Sequence, residues 1–316
     1  SRVASSTAIY NEILKRNPKA LPRLYEGFEW DRMDEHAAHE TPTSGYKVPL
    51  FSEKDGRVSC QYNRNWINNA AERSGKPLTA EENAILDLLD EIWTEETQEF
   101  WGRRYLLPGP WARLDGDGDV LRLNPSYFMP FAWRVFATYD SEHDWLGMVD
   151  DHYALLEEVM TEGSLPPDWL FLQPIDGRIV APPPHLPEAA YFGYEAWRLG
   201  WTLAAEVAWY DEPRARALLV PVANLGINWR RDGRIASLSE RDGNPVSDHE
   251  YLGLYGALLP AWAHARPEDV DALYRRHIAP VRARHGWGDS DDYYANNWVW
   301  LGIALWNGLA RPMEDS

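Results

Sequence analysis

The sequence is poor in cysteine, in positive charge and in long apolar runs, and each shortage excludes a class of protein. Cys60 is the sole cysteine among 316 residues, which excludes an intrachain disulfide framework and a cysteine-rich metal site. There are 31 Lys and Arg against 49 Asp and Glu, and the resulting net charge of −18 repels nucleic-acid phosphates and anionic lipid. No run of about 18 apolar residues occurs. We therefore expect no nucleic-acid partner and no membrane insertion.

Motifs for common metals and cofactors are also missing. There is no Walker loop, nucleophile elbow or zinc-protease signature. None of the nine histidines is followed two residues later by a carboxylate, and the His36–His39 cluster has the wrong spacing, so an iron site with two histidines and one carboxylate is not expected. The run Asp115–Asp119 is not a calcium loop, because its sixth and twelfth positions are Val120 and Ser126. We interpret it as an acidic turn and predict no metal and no cofactor.

Tryptophan and tyrosine are abundant instead, with 17 Trp and 16 Tyr against 8 Phe. Both side chains combine an apolar ring with one polar atom, which suits binding surfaces. Sugar rings offer C–H faces to such aromatic platforms and hydroxyls to nearby carboxylates. For any single tryptophan, packing in the core is the alternative interpretation.

Irregular segments precede a long helical region. Alternating residues around Lys54–Gly56 predict a β-hairpin, and Thr79–Glu82 resembles a capping box that starts a helix through about Trp93. Beyond it, helix-like segments alternate with loops and no convincing strand is found. Eight consecutive helices with short connections predict stacked antiparallel helical hairpins. The seven later helices are predicted near 125–139, 142–161, 188–210, 212–230, 248–264, 267–284 and 290–309.

The stretch Tyr191–Tyr210 has no proline and carries apolar residues at helical spacing, so it is predicted to be one long helix. Helical geometry would place Tyr194, Glu195 and Arg198 on one face together with Tyr191. These polar groups are costly to bury without partners. Two interpretations remain open, namely a solvated Glu–Arg pair or the wall of a sugar-binding cleft.

Two polar, aromatic motifs open predicted helices and a third ends a loop, and capping by Asn, Asp and Ser accounts for part of the pattern. In a ring of helical hairpins, however, loops at one end converge, so these motifs could line a common groove. The motifs are Asn124–Tyr127, Pro167–Trp169 and Asp289–Asn297.

From about Ile92 to Pro312 the chain resembles family 8 glycoside hydrolases. The resemblance rests on five motifs in order: L-L-P-G (106–109), N-P-S-Y (124–127), P-D-W (167–169), Y-E-A-W-R (194–198) and D-D-Y-Y (291–294). It implies a mainly α fold, an incomplete (α/α)6 toroid of helical hairpins, and inverting hydrolysis of β-1,4-linked glucan. Inversion needs an acid and a base about 6.5–9.5 Å apart.

The resemblance also implies roles for individual residues. Glu195 stands where many members have the Asp that serves as general base, and it is our candidate catalytic residue. The change from Asp to Glu lengthens the side chain by one methylene. The implied substrate-binding residues are Asn124, Tyr127, Trp169, Tyr194, Arg198 and Tyr294.

Two departures from the family pattern leave other functions open. The S-E-G-Q-type motif of the general acid and the D-G-D-type helix start are both missing. Glu26–Gly27 matches only the central two residues of the S-E-G-Q-type motif. Residues 1–91 instead resemble a fragment of the taurine/2-oxoglutarate-dependent dioxygenase family, without its iron ligands. The alternatives are therefore a catalytically inactive glycan-binding protein and a dioxygenase remnant.

We expect an irregular α+β segment at 1–91 and the hydrolase-like region at 92–316. The chain begins with Ser1 rather than Met. A secreted or periplasmic location is expected if a signal peptide has been removed, and a cytoplasmic one otherwise. The sequence leaves the oligomeric state open.

Overall fold

The computed structural model describes two short strands at 52–54 and 57–59, and then residues 80–114, 120–284 and 286–312. Helices dominate this part of the chain. Its elements are β1 (Ser52–Lys54), β2 (Arg57–Ser59), α1 (Ala80–Glu95), β3 (Thr97–Phe100), β4 (Arg103–Leu106), β5 (Leu121–Leu123), α2 (Pro130–Tyr139), α3 (Trp145–Val159), β6 (Leu170–Leu172), β7 (Ile179–Val180), α4 (Trp197–Tyr210), α5 (Pro213–Leu219), α6 (Leu225–Asp232), α7 (Leu252–Ala265), α8 (Val270–Leu273), β8 (Arg282–Ala283), β9 (Gly286–Trp287) and α9 (Tyr293–Trp306).

Helix α7 lies at the centre of the core. Its sequence is apolar on every side, as expected for a helix surrounded by protein. Leu254, Leu258 and Trp262 are fully buried, and α4 and α9 both pack against it. The motifs at the N-terminal ends of α4 and α9 are therefore held around one central helix.

Two glycines let α7 and α9 touch backbone to backbone. A Cβ atom at Gly256 would overlap the backbone of Val299, and one at Gly302 would overlap the carbonyl of Gly256. Only glycine, which has no Cβ, permits so close an approach.

A small antiparallel sheet lies beside the helices. Strand β6 is its centre and pairs with β5 on one side and β7 on the other. A second hairpin joins β3 to β4 through Trp101 and Gly102, both with positive φ, 54° and 73°. Residues with positive φ suit the tight turns whose twist matches a hairpin.

The predicted mainly helical architecture and the hairpin around Lys54–Gly56 are confirmed, since β1 and β2 pair antiparallel. The prediction of no strands beyond residue 79 is wrong, because strands of two to four residues connect the helices. Such strands are too short to show a period of two. The His36–His39 cluster and the run 115–119 lie outside the described residues.

The helix predicted over 188–210 begins only at Trp197, so the prediction that Tyr194 and Glu195 lie on a face of that helix is wrong. Phe192 instead exchanges two backbone hydrogen bonds with Ser239, each 2.9 Å long. This extended pairing prevents the helix from starting earlier.

Among the helices that the structure describes, none combines the length and the apolar character needed to span a membrane.

Candidate active site

The small sheet brings two sequence motifs together. Strand β5 runs directly into Asn124, and Trp169 directly precedes β6. The strands are antiparallel with Leu123 opposite Leu170, so the residues after β5 lie beside those before β6. The motifs N-P-S-Y and P-D-W, far apart in sequence, thereby reach the same place.

Asn124 connects this sheet to Glu195. Its side-chain NH2 donates to Oε2 of Glu195 over 2.6 Å, while its own oxygen accepts from the backbone N–H and the hydroxyl of Ser126, at 3.0 and 2.6 Å. Asn124 is only 1% exposed, and the backbone bond caps the 3-10 turn Pro125–Tyr127. The amide is therefore fixed in orientation, with its donor directed at the carboxylate.

Glu195 also forms an ion pair with Arg198, and the guanidinium donates to the same oxygen, Oε2. Arg198 is held by a second bond of 2.8 Å to the Ser126 hydroxyl. The Glu195 side chain is 27% exposed and the Arg198 side chain 15%. The pair is neither a freely solvated surface contact nor fully enclosed, which supports the cleft interpretation.

Asp168 holds the turn that carries Glu195. One carboxylate oxygen accepts three backbone N–H groups, from Gly193 at 2.9 Å, Glu195 at 3.2 Å and Ala196 at 2.8 Å. Burial raises the pKa of Asp168 to about 6, against the opposite effect of these N–H bonds and of Arg198. The carboxylate takes the place of a capping residue before α4.

A cluster of tyrosines borders the ion pair. The Arg198 guanidinium lies 5.2 Å from the ring centroid of Tyr127. The Tyr294 hydroxyl donates to the carbonyl of Tyr194 over 3.2 Å, which joins the start of α9 to the turn before α4. Tyr251 packs 5.3 Å from the Tyr194 ring, and Tyr194 remains 40% exposed. These rings give the site an accessible aromatic wall.

Trp169 belongs to a second aromatic group on the same sheet. The guanidinium of Arg122 lies 3.8 Å from its ring centroid, and the ring of Trp111 lies 6.1 Å away. Trp111 is 62% exposed. Trp169 follows Asp168 in the chain, so this group extends from the Glu195 turn towards solvent.

A cavity of about 300 Å³ adjoins the tyrosine cluster at Tyr251. Its lining includes Tyr255 and Trp287 and the carboxylates of Glu250 and Asp292. Asp292 accepts from the Tyr251 hydroxyl at 2.9 Å, and its Oδ1 caps α9. The motif at the start of α9 thus contributes to a polar, aromatic pocket as well as to the helix cap.

The structure brings together most of the residues that the sequence singled out. Asn124, Glu195 and Arg198 are in direct contact, Tyr127, Tyr194 and Tyr294 surround them, and Trp169 is reached through the sheet. Sequence reasoning missed the contributions of Ser126, Asp168, Tyr251 and Arg122, although the first two lie within motifs it quoted. Among the described residues, no three His, Cys, Asp or Glu side chains are grouped to hold a metal ion.

Most of the chain is similar to proteins of one glycosidase family, and part of it is also similar to a synthase. The family model for glycosyl hydrolases family 8 matches residues 82–302. Endoglucanase A of Acetivibrio thermocellus is 31% identical over 218 residues, which make up 66% of this chain and 42% of that protein. FR-33289 synthase of Streptomyces rubellomurinus is 32% identical over 121 residues, 38% of this chain and 34% of that protein. The chain therefore spans less than half the length of either relative.

Solved structures show the same fold. A family 8 endo-β-1,4-glucanase from an Achatina fulica gut metagenomic library superposes with a TM-score of 0.52 at 21% identity, covering 78% of this chain and 70% of that one. Its likeness confirms the predicted (α/α)6 toroid. The family match covers well over half of the sequence and includes all the residues gathered around Glu195. The chain belongs to family 8 of the glycosyl hydrolases.

Proposed function

We propose that this chain hydrolyses β-1,4-linked glucan with inversion and that Glu195 is its general base. The observation that carries the proposal is the arrangement around the Glu195 carboxylate. Asn124 and Arg198 both donate to Oε2, and Oε1 accepts no hydrogen bond from the described residues. A charged donor stabilises the ionised carboxylate, and because the side chain is 27% exposed, we propose that Oε1 takes a proton from water.

The surroundings of Glu195 suit a sugar chain. The exposed ring of Tyr194 and the rings of Tyr127 and Tyr294 offer apolar faces beside polar donors, the composition expected of a ligand cleft. Trp169, with its neighbour Trp111, would extend this platform along the small sheet. We propose that these side chains and Arg198 bind successive sugar units, whereas Asn124, which is only 1% exposed, acts through its hydrogen bond to Glu195 instead of contacting sugar.

A glycan-binding protein without hydrolytic activity is the second candidate. It is favoured by the missing S-E-G-Q-type and D-G-D-type motifs, since loss of general-acid help costs about 10²- to 10⁴-fold in rate. The aromatic groups and the Asn124–Glu195–Arg198 contacts would serve binding equally well. The similarity of residues 1–91 to a dioxygenase fragment, and their separation as a domain, stay predictions.

Incubation with carboxymethylcellulose distinguishes the two candidates. Hydrolysis should release reducing ends, and proton NMR should show the α-anomer first, because inversion at a β-linkage produces it. Affinity electrophoresis in a gel containing the same polymer measures binding independently. Retardation without release would favour the inactive binder, and the absence of both with folded protein would contradict both candidates.

A further inference from the structure

The backbone around Glu195 is held from outside its own segment. Three N–H groups of one turn, from Gly193, Glu195 and Ala196, converge on Oδ1 of Asp168 at 2.8–3.2 Å. These N–H groups precede α4, which begins at Trp197, whereas the carbonyl of Gly193 accepts from the N–H of Trp197 over 3.2 Å. Without Asp168, these three donors would have to find water or remain unsatisfied.

Asp168 is itself fixed by the main chain. Its N–H donates to the carbonyl of Tyr191 over 2.8 Å, and the N–H of Trp169 donates to the carbonyl of Ala189 over 3.1 Å. Residue 169 continues into β6, whose partner β5 leads to Asn124. The same sheet therefore anchors the Glu195 backbone through Asp168 and the Glu195 carboxylate through Asn124.

Close packing leaves the turn little freedom to shift. A Cβ atom at Gly193 would lie 2.6 Å from Oδ2 of Asp168 and 2.7 Å from Cδ1 of Leu238. Both separations are shorter than side-chain carbons tolerate, so the absence of a side chain at Gly193 lets the carboxylate approach all three amides.

We infer that Asp168 is a positioning residue for the reaction: its carboxylate fixes the Gly193–Ala196 turn and thereby the direction in which Glu195 points. The inference rests on the proposed function of Glu195. In this inference Asp168 does not contact the substrate. It affects the reaction only by holding the backbone of the turn that carries Glu195. A displacement of a reacting group by about 1 Å costs up to about 10²-fold in rate.

The test compares Asp168→Ala and Asp168→Asn with Asp144→Ala. Asp144 is a matched control because it caps α3 through the N–H of Gly147 at 2.8 Å and does not contact the Glu195 turn. With a soluble β-1,4-glucan, Asp168→Ala should lower kcat about 10- to 100-fold while KM stays within about threefold. Asp168→Asn retains an acceptor oxygen and should recover part of the loss. Unchanged kcat in Asp168→Ala would overturn the inference.

A second readout separates this inference from the proposed function. If the wild-type chain cleaves no glucan, the proposed function fails, and the ¹³C resonance of the Glu195 carboxyl group decides about positioning. It should move in Asp168→Ala and remain in place in Asp144→Ala; an unmoved resonance would overturn the inference. If Asp168→Ala does not fold, the same two measurements are made on Asp168→Asn. A carboxyl resonance and a kcat both equal to those of the wild type would then overturn the inference.

Discussion

The two ends of the α4 segment present the same chemical pair in different surroundings. Just before the helix, Glu195 pairs with Arg198 from its own segment and keeps 27% of its side chain exposed. In the last turn, Glu206 pairs with Arg134 from α2, and its side chain is completely buried. A glutamate–arginine pair in the sequence therefore indicates neither a catalytic nor a structural role by itself.

At the other end of α4, a network of hydrogen bonds encloses the Glu206 carboxylate. Arg134 donates to Glu206 through two nitrogens, at 3.2 and 3.1 Å, and to Glu212 at 2.6 Å. The Tyr153 hydroxyl adds a bond of 2.9 Å to Glu206. Burial raises the pKa of Glu206, and the bonds from Arg134 and Tyr153 oppose it. These partners make Glu206 a structural element that joins α2, α3 and α4.

The difference between the ends lies in the second carboxylate oxygen. In both residues the described bonds end on Oε2. Oε1 of Glu206 is buried, whereas Glu195 borders an exposed aromatic wall. The Glu195 side chain is 27% exposed and the Glu206 side chain is fully buried, so access to solvent rather than charge distinguishes the two glutamates.

The largest effect is expected for Glu195→Gln. The amide retains the shape of the side chain but cannot accept a proton, so glucan hydrolysis should fall by about 10²- to 10⁴-fold. Melting temperature and glycan binding should change little. The control is Glu157→Gln, an exposed glutamate on α3. A large drop in melting temperature with unchanged specific activity would show that Glu195 resembles Glu206 after all.

Arg134→Met should have the opposite pattern. It leaves the fully enclosed Glu206 without its cation, which lowers the free energy of unfolding by about 3–5 kcal/mol. Urea denaturation measures the loss, and activity per folded molecule should not change. Arg178→Met removes an exposed arginine whose pair with Asp176 should contribute at most about 1 kcal/mol. Equal losses in the two variants would contradict the structural role of Arg134.

Acid should lower the free energy of unfolding by protonating Glu212, which shares Arg134 with Glu206. Hydrogen bonds from Arg214 lower the pKa of Glu212 to about 2, from an ordinary value of 4.5. Since the folded-state pKa is the lower one, the stabilisation is fully present above about pH 4.5 and is lost as the pH falls towards 2. The difference in unfolding free energy between the wild type and Glu212→Gln should shrink over this range. A constant difference would contradict the assignment.

The smallest effect is expected for Tyr294→Phe. The change removes the hydroxyl that donates to the Tyr194 carbonyl and keeps the ring, so unfolding free energy should fall by about 0.5–1.5 kcal/mol. Calorimetric titration with a cello-oligosaccharide should give a nearly unchanged Kd. Tyr294→Ala, which removes the ring as well, should bind clearly more weakly. Equal affinities of the two variants would show that the ring is not part of the binding wall.

Local patterns in the sequence predicted the local parts of the site. Helical spacing grouped Glu195 with Arg198, and the two side chains are in contact although Glu195 precedes α4. Helical periodicity located most of the helices. The start of α4 could not be predicted in this way, because Ser239 pairs with Phe192 and Asp168 bonds the following turn. Both partners are distant in sequence and leave no periodic signal.

The same limit applies to the partners of Glu206 and to the small sheet. Nothing in the residues around Glu206 indicates that Arg134 lies opposite, since that contact depends on how α2 packs against α4. The pairing of β5 with β6 places Asn124 near Asp168, yet each strand is only three residues long. Capping signals near Asn124 and Asp168 were readable, but not the partners that the two side chains would find.

The glycine contact between α7 and α9 holds together the two helices that begin beside Tyr251 and Tyr294. Tyr251 stands immediately before α7 and Tyr294 in the first turn of α9, with ring centroids 6.4 Å apart. Below them, the helices meet at Gly256 and Gly302 with no side chain between. A methyl side chain at either glycine would push α7 and α9 apart at this contact and increase the distance between the two tyrosines. The width of the proposed sugar cleft would then depend on a helix contact that lies outside the cleft itself.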